Sequence, residues 1–101
     1  MKPLYKFILD EETGNIEKVE IADYEEGRWV SNKLYWRYKY NSTTYYCYNS
    51  DLDKFKNGHV YSFNPSIVDA RLIIADAVHD KAVKAEKEAK RWHKVYNSMF
   101  K

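Results

Sequence analysis

From Ser66 to Lys101 the chain carries neither glycine nor proline, and it enters that stretch through Asn64-Pro65. An Asn can accept hydrogen bonds as a helix N-cap, and a Pro is tolerated at the first helical position because its missing N–H costs nothing there. Ser66 with Asp69 offers a second capping arrangement. The C-terminal third therefore reads as helix. In one piece, about 35 residues would run about 50 Å, whereas a globule of about 100 residues has a radius of gyration of about 13 Å. Either the helix overhangs the rest of the chain, or it breaks near His79-Asp80 and folds back.

The helical stretch changes character along its length. Between Ile67 and Val78 nearly every side is apolar, as in a segment buried on several faces. Beyond it a narrow seam emerges at Ala75, Val78, Ala82, Ala85, Ala89, Trp92, Tyr96 and Met99, with spacings alternating between three and four. That is a heptad seam, and its alanines let two backbones approach closely. A homo-oligomer held through Ala82, Ala85, Ala89, Trp92 and Tyr96 is the expected use of this seam; a helical hairpin within one chain is the alternative.

Ahead of residue 64 the periodicity switches to two. Leu4 to Leu9 alternates, Asp10 to Asn15 is a turn signal around Gly14, and Ile16 to Ile21 alternates again, which makes a hairpin. Tyr5, Phe7 and Leu9 are expected on the core face, joined by Val19 and Ile21. Residues 22–33 read as a loop. Leu34 to Asn49 gives a second hairpin about an Asn41-Ser42 turn, with Tyr40 opposite Thr43. In that register Leu34, Trp36, Tyr38, Tyr40, Thr43, Tyr45 and Cys47 share a core face, while Tyr35, Arg37, Lys39, Thr44, Tyr46 and Tyr48 share the other. A polar loop and a short strand from His59 to Phe63 complete the region. The expected fold is α+β: a single domain over 1–101, with an N-terminal antiparallel β-sheet of about four to five strands (1–63) and then a long C-terminal helix, whole or broken into two, as the helical oligomerisation region (64–101).

Ten tyrosines and three tryptophans give the apolar surface many polar tips, a composition suited to half-buried sheets and to binding surfaces. A net charge of +2 is small for a protein that coats nucleic acid, but it is unevenly spread. Residues 1–27 hold three lysines against eight carboxylates, residues 28–48 four cations and no acid, and residues 81–101 seven cations against two acids. Such segregation points to an anion site or to self-association. One cysteine, Cys47, rules out an internal disulfide and the multi-cysteine zinc patterns. His59, His79 and His93 lack helical ligand spacing, so no metal is expected. No serine elbow or glycine-rich phosphate loop is present, and paired acids such as Glu11-Glu12 and Glu25-Glu26 read as solvated loop charge. Neither catalysis nor a cofactor is expected. No apolar run is long enough for a membrane span or signal peptide, so a cytoplasmic setting and no membrane partner are expected.

Binding chemistry is better represented. Arg28-Trp29 joins a guanidinium to a large stacking ring. Phe63 offers a ring beside the helix start, where free N–H groups after Asn64 attract anions. Lys87, Arg91 and Lys94 share a helix face and repel one another unless an anion sits between them. Together Arg28, Trp29, Phe63, Asn64, Lys87, Arg91 and Lys94 form the expected site for a small nucleotide. A second arrangement, Tyr35, Arg37, Tyr46 and Tyr48, interleaves rings and cations as single-stranded nucleic-acid binders do, although the low net charge argues against nucleic acid.

The order of elements, with the stretch Asn57-Gly58-His59-Val60-Tyr61-Ser62-Phe63-Asn64-Pro65-Ser66, resembles the Thoeris anti-defence sponge family of phage proteins. The resemblance implies an antiparallel sheet with C-terminal helices that drive assembly. It also implies sequestration, without cleavage, of a cyclic ADP-ribose signal and in some members of cyclic dinucleotides, within the cytoplasm of an infected bacterial host. Phe63 and Asn64, then Lys87, Arg91 and Lys94, would be the ligand-binding matches. The alternative function is an anti-CRISPR or anti-restriction protein that blocks a host complex by protein contact or nucleic-acid mimicry through its acidic 10–26 stretch.

Overall fold

The computed structural model of the chain describes residues 2–84 and 89–100. Its strands are β1 (Leu4–Leu9), β2 (Ile16–Ile21), β3 (Glu25–Arg28), β4 (Leu34–Tyr40), β5 (Thr43–Tyr48) and β6 (His59–Ser62), followed by helices α1 (Ile67–Lys84) and α2 (Ala89–Met99). The α+β class and the order of sheet then helix are as the residue periodicities predict. The strands, however, form two antiparallel sheets of three, ordered β2-β1-β6 and β3-β4-β5.

Three layers result. Phe7, Leu9, Ile16 and Val60 of the first sheet pack against Ala70, Ile74, Val78, Trp92, Val95 and Met99 of the helices. The opposite face of that sheet carries Leu4, Ile21 and Tyr61, which pack against Trp36, Tyr38 and Cys47 of the second sheet. The first sheet is thus buried on both sides, and this corrects the face assignment of β2. The register sets Leu9 opposite Ile16, Lys6 opposite Val19 and Leu4 opposite Ile21. Val19 and Ile21 therefore turn toward the second sheet rather than joining Phe7 and Leu9. Fully burying side chains such as Phe7, Ile74 and Val60 contributes about 1.5–3 kcal/mol each.

Local chemistry explains each turn. Asp10 Oδ1 accepts the Glu12 N–H at 2.9 Å, and the Gly14 N–H reaches the Asp10 carbonyl at 2.8 Å. Gly14 has a φ of +76°, and a Cβ there would lie 2.4 Å from the Ser98 backbone, so only glycine fits beneath the end of α2. In the second hairpin Asn41 and Ser42 both take positive φ, 48° and 66°, as a two-residue type I′ turn requires. Tyr40 then faces Thr43 and Tyr35 faces Tyr48, the register read from the turn residues. Strand β3 was not legible as a strand, because Glu25-Glu26-Gly27-Arg28 has no apolar alternation. It pairs with β4, placing Gly27 opposite Tyr35 and Glu25 opposite Arg37.

At the helix start the cap is Ser66, not Asn64. Ser66 Oγ accepts the Asp69 N–H at 3.1 Å, while Asn64 Oδ1 accepts the Ser66 N–H at 3.0 Å and its amide donates to Asp69. Pro65 accordingly precedes the helix instead of opening it. The chain does fold back, and α1 runs past His79-Asp80 to Lys84 before it does so. Lys81 lies over the Trp92 ring at 4.7 Å and His79 meets Tyr96 at 5.4 Å, so the helices are antiparallel. The longest dimension of the molecule is 40 Å, too short for the continuous rod. The heptad seam is filled from within: Ala82 is 3% and Trp92 6% exposed in the chain's own core. Ala89 is partly buried, Tyr96 is half-buried between His79 and Phe100, and Ala85 lies outside the described residues. At Ala82 and Trp92 the three–four spacing serves a helical hairpin within the chain. No described helix is long and apolar enough to cross a membrane.

Candidate functional site

Alternation along β4 and β5 sends Trp36, Tyr38 and Cys47 inward and leaves Tyr35, Arg37, Tyr46 and Tyr48 on the outer face of the second sheet. The outward rings touch one another. Tyr35 and Tyr46 have centroids 5.7 Å apart, and Tyr46 and Tyr48 are stacked at 6.5 Å. Trp29, just beyond β3, completes the group at 5.2 Å from Tyr35 and 6.5 Å from Tyr48. Gly27 is what allows this packing, because a Cβ there would collide with the Tyr35 ring.

Trp29 is held by a short closed loop. Its N–H donates to the Lys33 carbonyl at 3.0 Å, and its own carbonyl accepts the Asn32 N–H at 2.8 Å. Asn32 takes a φ of +62° to make the turn, a conformation asparagine tolerates better than most residues. Trp29 remains 46% exposed and Val30, at the tip, is fully exposed. Beside this loop opens a hollow of about 1130 Å³ whose lining includes Arg28, Trp29, Lys33, Tyr48, Asp51 and Lys56. Arg28 reaches only a 3.4 Å contact with Asn32, and Lys56 pairs loosely with Asp51 at 3.7 Å. Both side chains can therefore turn to an anion at small cost.

At the other end of the ring group the cation is already engaged. Arg37 pairs with Glu25, which holds the Glu25 carboxyl below its usual range and raises the guanidinium. A second, polar cleft of about 510 Å³ is lined there by Glu25, Arg37, Lys39 and Tyr46 among others.

The residues expected to bind ligand are distributed as follows. Arg28 and Trp29 come together on the large hollow. Phe63 does not join them: it packs edge-on against Trp36 at 5.2 Å and near Tyr24 at 6.2 Å, inside the inter-sheet core. Asn64 is engaged in the helix cap. Arg91 sits on the helix layer, pairs with Glu11 at 2.7 Å and lies over the Trp92 ring at 4.8 Å. Lys94 is exposed on α2, and Lys87 lies outside the described residues. The middle sheet separates α2 from the second sheet, so Arg91 and Arg28 serve different surfaces. Sequence reasoning missed Lys33, Asp51 and Lys56, which the loops bring to the hollow and which carry no periodic signal.

The chemistry present is stacking and charge. Cys47 is 1% exposed, and burial pushes its thiol up to about 12, so it stays protonated. Burial lowers the His59 imidazole, with Lys6 nearby adding to the effect. Among the described residues no group of three His, Cys, Asp or Glu is placed to hold a metal ion. Compared with known proteins, the chain matches no family model, no curated protein and no solved structure.

Proposed function

We propose that this chain is a non-catalytic binding protein for a nucleotide, held with its base on Trp29 and Tyr48 and its phosphates toward Arg28, Lys33 and Lys56. The observation that carries the reading is the partly exposed Trp29, ringed by tyrosines and opening on a hollow edged with cations. Bases stack on such rings without regard to sequence, and guanidinium and ammonium groups meet phosphate. The hollow, at about 1130 Å³, exceeds the usual range of about 300–1,000 Å³ for ligand pockets. That size favours a ligand with more than one base or phosphate, such as cyclic ADP-ribose or a cyclic dinucleotide. In this proposal the bound signal is sequestered intact within the host cytoplasm, the role the sponge resemblance implies, but at Arg28 and Trp29 rather than at Phe63, Asn64 and Arg91. Arg28, Trp29, Lys33, Tyr48 and Lys56 all come from one chain.

Two observations weigh against the acidic-mimic alternative. Glu11 and Glu25, from the acidic stretch, are each committed to an arginine. A single-stranded nucleic acid along Tyr35 and Tyr46 is the second reading, favoured by the continuation of the ring group past the hollow.

Calorimetry against mononucleotides, ADP-ribose isomers, cyclic dinucleotides and a short oligonucleotide tests the proposal. Saturable one-to-one binding of a small nucleotide, recovered unchanged on denaturation, is the expected result. Cleaved product growing with time and protein would overturn the non-catalytic reading, and binding of the oligonucleotide alone would favour the second one.

A further inference from the structure

Lys6 is the single cation along β1, and its partners make it unusual. It sits at the centre of the first sheet, opposite Val19 on one side and Tyr61 on the other, on the face turned toward the second sheet. Its Nζ lies 5.1 Å from the Tyr45 ring centre and 5.6 Å from that of Tyr61. No carboxylate forms an ion pair with it among the described residues. Glu17, Glu20 and Asp23, which also line the adjoining cleft, are exposed and make no such contact. Half-burial without an acid lowers the Lys6 pKa through desolvation, and the two rings offset only part of that cost.

The cleft beside Lys6 measures about 460 Å³, and its lining includes Ile8, Val19, Ile21, Tyr38 and Tyr45. The tyrosine wall is stiff. Tyr38 stacks on Tyr45 at 5.3 Å with planes 19° apart, and its hydroxyl shares a 2.5 Å hydrogen bond with that of Tyr61. A flat wall of rings, an aliphatic wall opposite and a half-buried Lys6 with no ion-pair partner among the described residues, beside the exposed Lys39 on the rim, form a site of definite chemistry.

We propose that this cleft between the two sheets is a second binding site, for a small organic acid with a flat apolar body whose carboxylate meets Lys6. The aromatic body lies between Tyr45 and the Val19–Ile21 side, and the carboxylate supplies the ion pair that Glu17, Glu20 and Asp23 do not make with Lys6. The proposal stands independently of nucleotide binding at Trp29, which lies at a different hollow.

A matched pair of probes tests it: 1-naphthoate and its neutral amide, 1-naphthamide, each titrated into ¹⁵N-labelled protein and followed by amide shifts. Naphthoate is expected to move the signals of Lys6, Val19 and Tyr45, and to bind at least tenfold more tightly than the amide, as a charge-assisted contact provides. Lys6→Gln should abolish that preference, whereas Lys39→Gln, on the rim, should keep it. Lys6→Met serves as the second variant if the glutamine is poorly folded. Equal binding of acid and amide, shifts confined to other surfaces, or a preference that survives in the Lys6 variants would each overturn the proposal.

Discussion

The two faces of the second sheet use the same residue type in opposite ways. On the inner face Tyr38 is 7% exposed, and its hydroxyl is joined to that of Tyr61 inside the inter-sheet core. On the outer face Tyr46 is 42% exposed and touches Tyr35 and Tyr48, which lead to Trp29. Inside, the ring packs and its polar tip is satisfied. Outside, ring faces are left uncovered in a connected group beside loosely held cations. The lesson is that tyrosine content alone does not mark a binding surface; uncovered ring faces next to available charge do.

That contrast is broken most severely by exchanging large for small on each face. Trp36→Ala removes an inner ring that is 7% exposed and packs on Phe63, and should cost about 3–5 kcal/mol in a urea melt. Trp29→Ala, on the outer face, should cost less than about 1 kcal/mol while removing ligand binding. Equal destabilisation would mean that Trp29 is a packing residue. The helix layer gives a parallel test. Ala82→Glu places a charge in a core position that is 3% exposed and should destabilise the monomer by about 3–5 kcal/mol. A folded variant that merely changes oligomeric state in light scattering would return the seam to a role between copies.

The next effect is smaller and concerns the inner hydroxyls. Either Tyr38→Phe or Tyr61→Phe leaves one buried hydroxyl without its partner and should cost about 1–3 kcal/mol, whereas the double change should be nearly neutral. A double mutant as damaged as the sum of the singles would remove the hydrogen bond from the account. The smallest effect is on the outer face. The Glu25 carboxyl is held low by Arg37, so its contribution is fully present above the unfolded value of about 4.3. It fades as pH falls through that value toward the lowered folded one. The pair is exposed, so the loss should be slight, and Arg37→Met should abolish this part of the acid dependence of the urea midpoint.

How much was legible in the sequence follows from the same physics. The second hairpin could be registered to the residue because Asn41-Ser42 allows one short turn, and the turn dictates every pairing beyond it. β3 could not, since its strand character comes from Tyr35 over Gly27 and Arg37 on Glu25, partners supplied by another strand. The alternating seam correctly marked helix against helix. A three–four spacing is the same whether the facing helix belongs to the same chain or another, and Ala82 and Trp92 turned out to be buried within one. Of the expected site, Arg28-Trp29 could be seen as a local pair of ring and cation. Phe63 could not be placed, because a ring beside a helix start looks alike whether it faces solvent or, as here, Trp36.

The most direct test of the central claim uses the tryptophans themselves. Trp29 is 46% exposed, while Trp36 and Trp92 are 7% and 6%, so a base stacking on the outer face should quench Trp29 emission and leave the other two unchanged. Titrating wild type and Trp29→Phe with the nucleotide that calorimetry identifies should give saturable quenching in the first and none in the second, with affinity weakened at least tenfold by the substitution. Undiminished affinity in Trp29→Phe would place the ligand elsewhere and contradict the account.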